Sequence, residues 1–295
     1  CDWSSDVCSS DLEEKIVSKS TGIGILIVDE RQVYMARLLE EKGYTVVTWD
    51  LREGPMPRGT EKLWCAGALI LPVPVSRITD QERLERCLIA HRYDIQLCIG
   101  GAFSKSLRAL LDEYGIPWLD VLEKSGVAMK NAIATAEGCI AELSQLMPVN
   151  IEDANIIVMV FGNCGKPIAE KLYCMGAHVS IVARSERALS MAHYFGFLDY
   201  PMDAAIPYDE ADAVINTIPA LVITKNEIDA LKKDAVVLDI VSAPGVCDGA
   251  YCKEKGVPYK LALGLPGIYC PKTSAQILLE AMPFYYHPHC EKWKS

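Results

Sequence analysis

A short apolar run followed by closely spaced glycines is the part of this sequence whose pattern points most clearly to chemistry. Residues 156–161 are Ile-Ile-Val-Met-Val-Phe, and Gly162-Asn163-Cys164-Gly165 follow directly. The pattern predicts a buried strand, a tight turn and a helix start, which begin a βαβ unit. Glycine lets a backbone approach a phosphate, and a helix start offers free N–H groups. We therefore predict that Gly162, Asn163, Cys164 and Gly165 bind a dinucleotide pyrophosphate.

The first glycine of the usual fingerprint is absent. In the pattern Gly-x-Gly-x-x-Gly, Gly162 and Gly165 take the second and third positions, and Val160 takes the first. A two-glycine motif is weak evidence, and a strand–turn–helix that binds no nucleotide is the alternative. We expect Val160 to be tolerated because it ends the predicted strand.

The end of the next predicted strand bears on the choice of cofactor. Residues 178–183 form the next predicted strand, and Arg184-Ser185 follow it directly. NAD sites usually have an acidic residue here for the ribose 2′-hydroxyl, whereas a basic and a hydroxyl side chain suit a 2′-phosphate. NADP is therefore the predicted cofactor, and NAD is the alternative.

Polar residues also follow two later apolar strands. Asn216, Thr217 and Pro219 lie at the end of one of them, and Asp239 lies at the end of the other. Ligands of open parallel sheets bind at the carboxyl ends of the strands, so we predict that these four residues line the cofactor site. A plain turn and a loop cap are the alternatives.

Two basic residues at predicted helix starts are candidates for binding an anion. Lys272 follows a loop rich in glycine and proline at residues 264–271, and Arg31 follows the first predicted strand. A lysine beside free helix N–H groups makes a good carboxylate site. A rigid loop and ordinary helix capping are the alternatives.

Composition excludes several classes of protein. The 295 residues carry a net charge of −10 without a basic block, which argues against nucleic acid as a partner. The apolar runs are too short to span a bilayer, so no membrane association is expected. Six of the twelve cysteines sit inside apolar or helical segments with no C-x-x-C pair, which is typical of a reducing cytoplasm. We predict no metal site, because the compact group His287, His289 and Cys290 is better explained as a frayed tail.

Strands and helices alternate along the chain at the spacing of parallel α/β proteins. We predict a smaller N-terminal parallel α/β domain at residues 21–122 and a C-terminal Rossmann-type dinucleotide-binding domain at 123–295, with the site in the cleft. A long helix from about 125 to 146 joins the two. Residues 1–12 resemble read-through of adaptor sequence and are treated as non-native.

The order of these turns resembles the A subunits of dipicolinate synthase from spore-forming bacteria. The resemblance runs from about Ile23 to the closing helix and rests on six segments. They are Asp29-x-Arg31-Gln32, Ile70-Leu71-Pro72-Val73, Asn131-x-Ile133-x-Thr135-x-Glu137-Gly138, Ala183-Arg184-Ser185, Ile215-Asn216-Thr217-Ile218-Pro219 and Gly264-Leu265-Pro266-Gly267-x-x-x-Pro271-Lys272-Thr273.

This resemblance implies a reaction, a partner and a compartment. The reaction is the oxidation of dihydrodipicolinate to dipicolinate with NADP as hydride acceptor, in the mother-cell cytoplasm during sporulation. The implied partner is a flavoprotein B subunit, and a homo-oligomer is possible. For the dicarboxylate substrate we choose Lys272, Arg31 and, more weakly, Lys130 as cations, with Glu137 as a candidate base. A non-catalytic nucleotide-binding scaffold for the flavoprotein and a dehydrogenase of another small amino or hydroxy acid are the alternatives.

Overall fold

The computed structural model describes residues 22–56, 62–124, 126–241, 245 and 247–285. Among these described residues, those up to Ala128 together with those from Pro271 onward form one compact unit, and those within Met129–Cys270 form a second. The segment 1–12, the tail group at 287–290 and the loop residues Ser242–Pro244 lie outside the described residues.

In unit 1, the described residues form a sheet of five parallel strands in the order β2-β1-β3-β4-β5. This is the order of flavodoxin-like doubly wound sheets. The strands are β1 (Ile23–Ile27), β2 (Val46–Asp50), β3 (Ala68–Ile70), β4 (Leu97–Gly100) and β5 (Trp118–Asp120). The helices are α1 (Glu30–Glu41), α2 (Gln81–Ala90) and α3 (Lys105–Glu113), with 3₁₀ turns at Val75–Arg77 and Val121–Glu123.

A long helix, α4 (Val127–Leu146), begins at the end of unit 1 and continues into unit 2. In unit 2, the described residues form six parallel strands in the order β11-β10-β9-β6-β7-β8. The strands are β6 (Asn155–Met159), β7 (His178–Ala183), β8 (Leu198–Pro201), β9 (Ala213–Asn216), β10 (Val236–Asp239) and β11 (Tyr259–Leu261). The helices are α5 (Gly165–Cys174), α6 (Glu186–Tyr194), α7 (Lys225–Ala230), α8 (Gly249–Lys255) and α9 (Leu265–Tyr269). Renumbered within the unit, the strand order is 3-2-1-4-5-6, which is that of the Rossmann fold.

The closing helix belongs to unit 1, which differs from the predicted domain division at 122/123. This helix, α10 (Pro271–Glu280), packs Ala275, Leu278 and Leu279 into the core that contains Ile23 and Met35 of unit 1. Its apolar face matches that core, so the chain returns to the first sheet after completing the second. We predicted this helix in the second domain because it follows the last strand of that domain in the sequence.

The predicted class, two parallel α/β domains, is confirmed. The central strands β1, β9 and β10 are buried over their whole length because both faces of each sheet are covered, and apart from the terminal Asn216 and Asp239 they carry no polar side chain. The predicted rigid loop after β11 contains a short helix, α9, that starts from Gly264 in the left-handed conformation. No helix in the described part of the chain is long and apolar enough to cross a membrane.

Candidate functional site

The carboxyl ends of β6 and β9 meet where the strand order of unit 2 reverses. The two strands are neighbours, and Met159 at the end of β6 is in register with Asn216 at the end of β9. The Thr217 hydroxyl donates to the Met159 carbonyl at 2.7 Å and ties the two ends together. Ligands of open α/β sheets bind at such a reversal. The glycine turn and the Asn-Thr turn predicted from the sequence therefore lie side by side at this edge.

Val160 holds the backbone conformation that usually calls for glycine. Strand β6 ends at Met159, and Val160 follows it with φ of +73°. Its N–H donates to the Val182 carbonyl at 2.7 Å, which fixes the turn against β7. An L-residue with φ in this range is strained, and a β-branched residue more so. The missing glycine therefore leaves the shape of the turn intact and adds strain to it, so Val160 is not simply a strand end.

The two remaining glycines of the turn have different roles. A Cβ on Gly165 would lie 1.9 Å from the Val160 carbonyl oxygen, so the fold itself requires glycine there. A Cβ on Gly162 would meet only Val160 Cγ1, at 3.5 Å. The space above Gly162 is open, which is what the approach of a phosphate needs.

Helix α5 begins directly after this turn without a side-chain cap. Cys164 is its N-cap residue and makes no capping hydrogen bond. Burial raises the pKa of the Cys164 thiol, so the thiol adds no negative charge beside the helix start. Asn163 is exposed at the same turn. The turn and the helix start together fit a pyrophosphate.

Arg184 and Ser185 stand at the end of β7, as predicted. Arg184 is exposed, and its Nε donates to Met202 Sδ at 3.3 Å. Among the described residues, no carboxylate pairs with its guanidinium within 4.0 Å. The Ser185 oxygen accepts from the Ala188 N–H at 3.2 Å and caps α6. The cationic group is therefore available to an anion, while the hydroxyl oxygen already supports the helix.

Asn216 and Asp239 are occupied by each other and by the backbone. Both are fully buried, and Asn216 Nδ2 donates to Asp239 Oδ1 at 3.3 Å. Asn216 Oδ1 accepts from the Ile218 N–H at 3.0 Å, and Asp239 Oδ1 accepts from the Val241 N–H at 3.2 Å. Burial and the neighbouring Asp239 raise the pKa of Tyr259 to about 12, so this phenol stays protonated and donates to the carboxylate. The pair holds the ends of β9 and β10 in place, and Pro219 is exposed beyond it.

Arg31 does not face an anion site. Its side chain is 3% exposed, pairs with Asp29 at 2.7 Å, and donates from Nη2 to the Val73 carbonyl at 2.6 Å. Burial alone would raise the pKa of Asp29, but the hydrogen bonds and charge of Arg31, with the charge of Arg77, lower it overall. This geometry argues against the prediction that Arg31 binds substrate. It instead ties the start of α1 to the segment after β3.

Arg77 is a second cation beside Asp29 in unit 1, and it was not predicted as a site residue from the sequence. It also pairs with Asp29, but its side chain is 34% exposed. It lines a cavity of about 450 Å³ with Val28 and Arg52, at the carboxyl ends of β1 and β2. The only sequence signal was its place shortly after a predicted strand, in a segment punctuated by Pro72 and Pro74.

Glu137 is poorly suited to be a general base. Its carboxylate accepts from the Cys270 thiol at 3.2 Å and from Lys171 Nζ at 3.1 Å. These two hydrogen bonds lower its pKa, which weakens it as a proton acceptor. Lys130 is exposed on α4, and Lys272 is exposed in the first turn of α10.

Comparison with known proteins agrees with the resemblance predicted from the motifs. The chain is 31% identical over 163 residues to the A subunit of dipicolinate synthase of Bacillus subtilis (strain 168). That match covers 55% of this chain and 55% of the relative, so the chain spans about half the length of the curated relative it matches. No protein-family model matches the sequence.

Solved structures extend the similarity to most of the chain. The crystal structure of the dipicolinate synthase A subunit from Bacillus halodurans has a TM-score of 0.71 at 26% identity, over 88% of this chain and 94% of that one. A D-isomer specific 2-hydroxyacid dehydrogenase from Lactobacillus delbrueckii ssp. bulgaricus, in its NAD complexed form, has a TM-score of 0.54 at 13% identity, over 88% and 94%. The resemblance to dipicolinate synthase A subunits is confirmed, and the fold is that of dehydrogenases.

Proposed function

We propose that this chain is a nicotinamide-dinucleotide-dependent dehydrogenase subunit that oxidises dihydrodipicolinate to dipicolinate, with NADP as hydride acceptor. The observation that carries the proposal is the open turn at Gly162, placed at the uncapped start of α5 where the strand order reverses. The similarity to dipicolinate synthase A subunits supports the choice of substrate.

The reaction removes one hydride and one proton from the dihydropyridine ring and leaves an aromatic dicarboxylate. A bound nicotinamide would supply the hydride acceptor. This chain's own residues would bind and orient the cofactor. The turn from Gly162 to Gly165 would hold the pyrophosphate, and Arg184 would pair with the 2′-phosphate.

The carboxylates of the substrate require cations. Lys272 is exposed in the first turn of α10, where its charge and the free N–H groups both favour an anion. Among the described residues, its ammonium group makes no ion pair. Arg77 replaces Arg31 as the second candidate because it is the more exposed partner of Asp29. Aromatisation is strongly downhill, so a weak base or water suffices to take the proton, and Glu137 is not required.

The proposal is tested by mixing the purified chain with dihydrodipicolinate generated in situ and NADP, and following dipicolinate and NADPH together. Equal amounts of the two products are expected. Dipicolinate without any NADPH would contradict a hydride transfer to this cofactor. Replacing the dihydro acid with other small amino or hydroxy acids tests for a dehydrogenase of a different substrate.

A non-catalytic role beside a flavoprotein partner is the second candidate. The strained backbone of Val160 favours this role, because a site that binds the cofactor without catalysing hydride transfer requires a less exact turn. In that case the chain alone would bind NADP without oxidising the substrate, and the mixture would turn over only after the B subunit is added. Turnover by the chain alone would exclude this role.

A further inference from the structure

We propose that unit 1 carries a zinc site formed by Cys65, His91 and Asp94. One potential ligand atom from each of these side chains lies within 4.8 Å of the other two. The three residues come from two separate loops, so their meeting is a property of the fold. No metal site was expected from the sequence, where the tail at 287–290 is the only compact group of ligand types.

The backbone brings the two loops together at the amino ends of neighbouring strands. Cys65 lies shortly before β3, and His91 and Asp94 lie between α2 and β4. The Gln96 N–H donates to the Gly67 carbonyl at 2.8 Å and joins these segments. Ligands of the sheet bind at its carboxyl edge, so this group lies away from the cavity at Arg77 and has a structural rather than a catalytic position.

The donor set matches zinc better than a hard cation. A thiolate, an imidazole and a carboxylate are all zinc ligands, whereas Ca²⁺ and Mg²⁺ prefer oxygen alone. Zinc–ligand bonds of about 2.0–2.3 Å at tetrahedral angles place ligand atoms about 3.3–3.8 Å apart. His91 Nδ1 and Asp94 Oδ2 are already 3.1 Å apart. Small rotations of the exposed Cys65 and Asp94 side chains would therefore complete three ligands, and water would take the fourth position.

The imidazole is held in place by a buried aromatic ring. Trp64 is fully buried and stacks on His91, with ring centroids 6.4 Å apart and an interplanar angle of 19°. The His91 side chain is 14% exposed, so it is the least mobile of the three ligands. Fixing a ligand ring before the metal arrives reduces the entropy lost on binding. Trp64 also provides a fluorescent reporter beside the site.

The test is titration of the full chain with Zn²⁺ and Co²⁺, following heat, thiolate-to-cobalt absorption and the melting temperature. The variants are Cys65→Ser and Asp94→Asn. Cys174→Ser is the matched control, since Cys174 is another exposed cysteine and lies in unit 2. A background variant with alanine at positions 287, 289 and 290 removes the tail as a competing ligand group.

In that background, one equivalent of Zn²⁺ should bind and raise the melting temperature. Cys65→Ser should abolish the thiolate-to-cobalt absorption, and each ligand variant should bind at least tenfold more weakly. The control should bind like its parent. Both ligand variants folded and binding Zn²⁺ as tightly as the parent would overturn the proposal, and so would the absence of binding in the parent. His91→Ala is left out of the decisive set because it disturbs the packing of Trp64.

Discussion

The strain at Val160 leads to a prediction about protein stability. An L-residue in the left-handed region costs roughly 1–2 kcal/mol, and glycine avoids this cost. Val160→Gly loses the side chain and relieves the strain, whereas Val160→Ala loses most of the side chain and keeps the strain. At an ordinary helical position the order is opposite, since a glycine variant is about 1 kcal/mol less stable than an alanine variant. We therefore expect Val160→Gly to be more stable than Val160→Ala by about 1 kcal/mol.

The assay is reversible chemical denaturation of the two variants, with a matched pair at Glu170. That residue is exposed within α5, so Glu170→Ala should be more stable than Glu170→Gly. A difference of about 1 kcal/mol corresponds to roughly 2–4 °C in melting temperature for a chain of this size. The same sign at both positions would refute the reasoning, because it would mean that Val160 stores no conformational strain.

Four further predictions follow from the site and its surroundings. Gly162→Ala should leave the melting temperature nearly unchanged and abolish NADP binding in a calorimetric titration. Gly165→Ala should destabilise the fold, because its Cβ would meet the Val160 carbonyl oxygen. Equal stability of the two variants would contradict this. Arg184→Ala should weaken NADP binding by about tenfold or more, as expected for a charge-assisted hydrogen bond worth about 1.5–3 kcal/mol, with little change for NAD; equal losses for both cofactors would exclude a contact with the 2′-phosphate. The pKa of Asp29 is lowered in the fold, so its carboxylate stabilises the protein above its unfolded pKa of about 3.9 and loses that effect as the pH falls through the lower folded value. Asp29→Asn should therefore make the free energy of unfolding depend less on pH below about pH 4. An unchanged pH dependence would contradict a stabilising Asp29–Arg31 pair. Lys272→Met should raise KM for the dihydro acid without changing cofactor affinity, and a loss of thermal stability alone would make Lys272 a structural cap.

Sequence patterns were sufficient for the fold because parallel strands buried on both faces have a distinctive composition. The run from Ile156 to Phe161 and the glycines after it located β6, the turn and α5. Arg184 and Thr217 could be predicted at this edge because they follow strands, and the carboxyl ends of parallel strands meet at one edge.

Side-chain pairing was not predictable from the same patterns. Arg31 has the charge to bind a carboxylate, but it is paired with the buried Asp29. Glu137 could accept a proton, but two hydrogen bonds lower its pKa and make it a weaker base. The return of α10 to unit 1 depends on which core its apolar face fits, which helical periodicity does not specify. Cys65 and His91 are 26 positions apart, and only the strand order brings their loops together.

The most direct test of the proposed function compares the wild-type chain with Gly162→Ala in the coupled assay of dipicolinate and NADPH, with and without the flavoprotein B subunit. The wild-type chain is expected to form the two products in equal amounts, and the folded Gly162→Ala variant is expected to form neither. Dipicolinate formed by both proteins at the same rate would contradict the claim that a dinucleotide bound at the turn after β6 takes the hydride.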